Sequence, residues 1–76
     1  MDNQTLLTAK LRLYAELEQE QELNKSNAKH YLNIDAFDFA LPCVDRLVKI
    51  EEEIFQASID IKALREKIDD EVKEIL

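Results

Sequence analysis

The sequence predicts an all-α protein. It is expected to form an antiparallel helical hairpin, with two long helices at about 3–32 and 42–75 packed like a coiled coil and a short helical turn at the corner, about 35–41. Three observations lead there. The 76 residues include no glycine, the usual residue where φ must be positive or a backbone must approach a ligand. Tight β-hairpins, which favour Asn-Gly or Asp-Gly, are therefore disfavoured. From Leu47 onward, apolar residues recur at alternating spacings of three and four, the seam of a coiled coil. The single proline, Pro42, falls between two halves rich in Leu, Ile, Glu and Lys. All 76 residues make one domain.

The first helix begins with Asp2 or Asn3 as N-cap. Leu6, Leu7, Leu11, Leu13, Tyr14 and Leu17 then cover one side of it. The pattern fades over Glu18, Gln19, Glu20, Gln21 and Glu22, which favour helix without carrying a core. Ala28, Tyr31 and Leu32 resume the apolar face, so one helix to about residue 32 is expected, with a break near 24–27 as the alternative.

At the corner, Asn33 is expected to take a left-handed cap conformation and Asp35 to cap a short helical turn. Pro42 disfavours helix at Leu41 and suits the first turn of a new helix. That helix carries Leu47, Ile54, Ile61 and Ile68 at a-type positions and Ile50, Ala57 and Leu64 at d-type positions. Glu71 takes the next d position, where it is expected to set register or pair across an interface. A second apolar row, Val44, Val48, Phe55 and Ile59, lies roughly 100° around the helix from the seam. So broad an arc implies a second neighbour besides the first helix.

Folding the hairpin sets the polar stretch 18–27 beside about Leu47–Phe55. Burying a large apolar side chain contributes about 1.5–3 kcal/mol, so these residues are expected to be covered by the 34–41 segment, a second copy or a partner helix. The anchors expected for such a partner are Phe37, Phe39, Leu47, Val48, Ile50, Ile54 and Phe55.

Composition narrows the function. The net charge is −7, and residues 45–76 hold 10 acidic against 6 basic residues. That balance disfavours direct nucleic-acid binding, which runs on Lys and Arg, and docking on anionic lipid. One cysteine, Cys43, excludes an internal disulfide, and one histidine, His30, argues against a zinc site. Asp35 and Asp38 lack the glycine and distal glutamate of a calcium loop. Cys43 and His30 have no orienting third group, so no enzyme, cofactor, metal or small-molecule substrate is expected. The N-terminus lacks a basic-then-apolar leader and no run reaches membrane-spanning length, so the expected compartment is the cytoplasm.

The expectation is a small acidic interaction module, acting as an adaptor, assembly-chaperone subunit or regulatory inhibitor, that binds a partner helix. Its alternatives are a self-associating coiled coil and an acidic mimic of nucleic acid.

Overall fold

A computed structural model describes residues 2–75 as a two-helix hairpin, α1 (Asn3–Asn33) and α2 (Phe37–Ile75), packed along their length into a rod 61 Å long. The all-α hairpin expected from the sequence is the observed fold.

Helix α1 starts where its sequence marks it. Asp2 is the N-cap, and its Oδ1 accepts the Thr5 backbone N–H at 2.7 Å. That carboxylate satisfies one of the orphan donors of the first turn. The helix then runs unbroken through Asn24–Asn27, where a break was the alternative. The high helix propensity of residues 18–23 carries it, and Asn24 turns its side chain onto the Glu20 carbonyl at 2.8 Å.

The corner differs from expectation. Asn33 stays helical, and Asp35 takes the left-handed conformation, at φ 58°. Around it the backbone closes a Schellman motif. Ala36 N–H reaches Tyr31 O at 2.8 Å and Asp35 N–H reaches Leu32 O at 3.2 Å. Asp35 therefore ends α1 and does not cap the next helix. Aspartate tolerates this conformation better than most residues with a Cβ.

The second correction concerns Pro42. The expected short turn is helical, but it runs into α2 without a break, so Leu41 is helical and Pro42 is the sixth helical residue. Proline removes one backbone donor and crowds the preceding turn. The helix nevertheless runs through Pro42, with buried Ala40 and half-buried Cys43 on either side of it facing α1.

The core is a seam on each helix. In α2 the buried and half-buried residues Ala40, Cys43, Leu47, Ile50, Ile54, Ala57, Ile61, Leu64 and Ile68 follow the heptad pattern. In α1 an equally regular seam runs Asn3, Leu7, Lys10, Tyr14, Leu17, Gln21, Asn24, Ala28 and Tyr31. Four of its nine positions are polar, which is why the apolar pattern alone misses it. The mismatch expected opposite Leu47–Phe55 is thereby resolved for the seam. Ile50 is 0% exposed, clustered with Leu17 and Ala57, and half-buried Tyr14 and Ile54 pack against them. Gln21 and Asn24 are half-buried on the facing stretch of α1. Glu71, next on the α2 seam, accepts a hydrogen bond from the Asn3 side-chain amide and so closes the open end of the hairpin.

No helix among the described residues is long and apolar enough to cross a membrane.

Candidate functional site

The two long edges of the hairpin are chemically different. On one edge lie the residues one step before the a-type seam positions. Leu6 and Glu20 of α1 and Arg46 and Asp60 of α2 are half-buried there. Arg46 holds Glu20 through two hydrogen bonds, Nε to Oε1 at 2.8 Å and Nη2 to Oε2 at 2.9 Å, and reaches Glu53 at 3.5 Å. The hydrogen bond to Glu20 is the main reason the guanidinium is held above its ordinary pKa. Lys10 pairs with Asp60 at 3.1 Å. Its hydrogen bond, followed by that of Gln56, lowers the Asp60 pKa. This edge is sealed by a fork-to-fork pair and a second ion pair, which set the register of the two helices.

The other edge is open. It carries the residues one step after seam positions, and every one of these in 2–75 is exposed. At the far end of the rod, Leu11 of α1 and Lys62 and Arg65 of α2 line one groove on this edge. Toward the corner the α2 side of the same edge turns apolar. Phe37, Leu41, Val44, Val48 and Phe55 follow at spacings of 4, 3, 4 and 7, and Ile59 extends them by one turn. Their exposures include 57% for Phe37, 54% for Val48 and 68% for Phe55. From Phe37 to Ile59 the row spans about 33 Å at 1.5 Å per residue. Ile34 and Leu32, also exposed, continue it around the corner.

The seven residues expected to bind a partner divide accordingly. Phe37, Val48 and Phe55 belong to the open row. Ile50 is fully buried against α1 and offers nothing to a partner while the hairpin is closed. Leu47 and Ile54 are half-buried seam residues. Phe39 is 66% exposed but lies apart from the row, with its ring 5.6 Å from that of Tyr31 on the sealed edge. The row gains Leu41 and Val44, which the expected set omitted. Their signal was present in the sequence as three- and four-residue spacings from Val48. Of the three covers expected for Leu47–Phe55, the 34–41 segment leaves Val48 and Phe55 bare, and its own Ile34, Phe37, Phe39 and Leu41 are exposed. Cys43 is half-buried beneath it, with Sγ 3.6 Å from Phe39 O.

Exposed apolar rows such as Phe37 to Val48, with Phe55 beyond Glu51, mark surfaces that meet another molecule. The geometry is that of a helix face with a neighbour missing, with apolar side chains at three- and four-residue spacing beside a second helix. No protein-family model, curated protein or solved structure matches this chain.

Proposed function

We propose that the protein is a small helical interaction module that binds a helix of another protein along its open edge, as an adaptor, assembly-chaperone subunit or regulatory inhibitor in the cytoplasm. One observation carries this reading. Phe37, Leu41, Val44 and Val48 form an apolar row on α2, resumed by Phe55 beyond Glu51, that the protein's own α1 leaves bare. Helix-in-groove recognition uses anchors at this spacing. Aromatic side chains such as Phe37 and Phe55 are the kind that dominate binding energy when a partner excludes water from them.

The sealed edge supplies what such a surface needs. The row lies on the single helix α2, already formed and packed against α1, and the Arg46–Glu20 and Lys10–Asp60 pairs bridge the two helices on the opposite edge. A preorganised surface loses less conformational entropy on binding.

The test is affinity capture from native lysate with the wild-type chain and with Val48→Glu and Phe55→Glu. Both sites are exposed, so circular dichroism should show unchanged helix. A protein recovered by the wild type and lost with both variants supports the reading. Recovery unaffected by either substitution rejects it.

A further inference from the structure

The charge around the row says what kind of helix fits it. On a helix surface, a residue's neighbours lie three and four positions away. For Phe37, Leu41, Val44, Val48 and Phe55, the charged α2 residues at those positions are Asp38, Asp45, Glu51 and Glu52, and all four are acidic and exposed. Lys49 points further around the helix, behind Asp45 and Glu52. Lys62 neighbours only Ile59 at the row's end. Arg46 is withdrawn to the sealed edge by Glu20 and Glu53. On the facing side, α1 contributes a balanced set at the corresponding positions: Glu18, Glu22, Lys25 and Lys29, with Lys25 3.7 Å from Glu22. The α2 side of the row is therefore an apolar strip flanked by carboxylates, with Glu51 standing in the row itself between Val48 and Phe55.

Those carboxylates argue against a second copy of the chain. The antiparallel register that sets Phe37 against Ile59, Leu41 against Phe55 and Val48 against itself also sets Val44 against Glu52 and Asp45 against Glu51 of the copy, twice by symmetry. The register that sets Phe37 against Phe55 and Val44 against Val48 buries Leu41 against Glu51. Each chain also brings a net charge of −7. Like charges directly opposed at an interface are a specificity penalty.

Resting on the docking reading above, we infer that the open edge receives a basic amphipathic helix of a different protein. That helix has an apolar stripe about 33 Å long, matching the row, with Lys or Arg on the flank that faces the acidic side of α2. The apolar stripe fills the strip beside Phe37, Val48 and Phe55. The flanking cations meet Asp38, Asp45, Glu51 and Glu52, which also speed encounter.

The experiment uses two synthetic helical peptides with the same leucine stripe, one flanked by lysine and one by glutamate. Binding to the full chain is followed by fluorescence anisotropy. The lysine-flanked peptide should bind at least about tenfold tighter, through several exposed pairs acting together. Its advantage should shrink as salt rises to about 0.3 M, where the screening length is short. Charge reversal at three of the α2 carboxylates that flank the row, Asp45→Lys with Glu51→Lys and Glu52→Lys, should invert the preference. The same reversal at Glu16, Asp70 and Glu74, off the open edge, should leave the lysine peptide preferred. Equal binding of both peptides, lost in Phe55→Glu, overturns the inference and keeps the docking reading. An equal loss from the distal reversal also overturns the inference, because only bulk charge is then sensed. Failure of both peptides to bind at low salt overturns the docking reading with it. A dimer in sedimentation, dissolved by Val48→Glu, puts a second copy on the row and overturns the basic-helix assignment.

Discussion

Ile50 and Phe55 stand five residues apart on α2, yet truncating them should have very different consequences for stability. Ile50 is 0% exposed and touches the Leu17–Ala57 cluster. Isoleucine to alanine in a packed core costs about 2–5 kcal/mol, and alanine's better helix propensity returns about 0.4 kcal/mol. Ile50→Ala should therefore lose about 2–4 kcal/mol. A chain of this size has about 4–11 kcal/mol in total at 0.05–0.15 kcal/mol per residue, so the loss is a large share of it. Phe55 is 68% exposed. With about a third of a benefit of up to 3 kcal/mol realised, and about 0.5 kcal/mol returned by helix propensity, Phe55→Ala should lose no more than about 0.5 kcal/mol. Urea unfolding followed by circular dichroism at 222 nm measures both, at low protein concentration so that self-association does not contribute. A loss for Phe55→Ala as large as that for Ile50→Ala would refute the reasoning, because the open row would then be buried in the free protein. A negligible loss for Ile50→Ala would refute the seam itself.

Three further outcomes follow from the corner, the polar seam and the capped ends. Asp35 sits at φ 58°, so Asp35→Gly should stabilise the hairpin by about 0.5–1 kcal/mol, read as a shifted urea midpoint, whereas Asp35→Val should destabilise it. Gln21→Leu combined with Asn24→Leu should raise stability by about 2 kcal/mol, since each places an apolar side chain at a half-buried seam position; an unchanged midpoint would contradict the seam assignment. Asp2 and Asp60 both titrate below the ordinary aspartate value of 3.8, Asp2 mainly through the Thr5 N–H and Asp60 mainly through Lys10. Their folded pKa values are depressed, so their stabilisation is complete above 3.8 and fades as pH falls through the lower folded values. The melting temperature of the wild type should thus fall more steeply below that pH than that of the Asp2→Asn, Asp60→Asn double variant, and parallel curves would contradict the assignment.

The heptad from Leu47 to Ile68 was legible because apolar residues at a period near 3.5 leave one way to bury them: against another helix. The second row through Val44, Val48 and Phe55 was legible for the same reason, as apolar surface in excess of what one neighbour needs. Asp2 was recognisable as a cap because a short acceptor before a helix has few other uses. The anchor set was only partly legible. Val48 and Ile50 are both apolar and two residues apart, and nothing in their identity says which faces α1.

Residue chemistry by itself determined the helices, their antiparallel return and the surplus of apolar surface on α2, since each follows from local spacing and propensity. The tertiary structure alone decided the rest. It made Asp35 the left-handed residue, because closing the corner in three residues after Asn33 requires a reversal one step past Ile34. It kept Pro42 inside α2, because Ala40 and Cys43, on either side of it, both lie on the seam against α1. It built a seam in α1 from Lys10, Gln21 and Asn24, whose polarity hides a position that only packing reveals. It drew Arg46 to Glu20, which sealed one edge and left the other open. Partner choice between side chains 26 residues apart is a matter of register between two helices, and register is set when both faces meet.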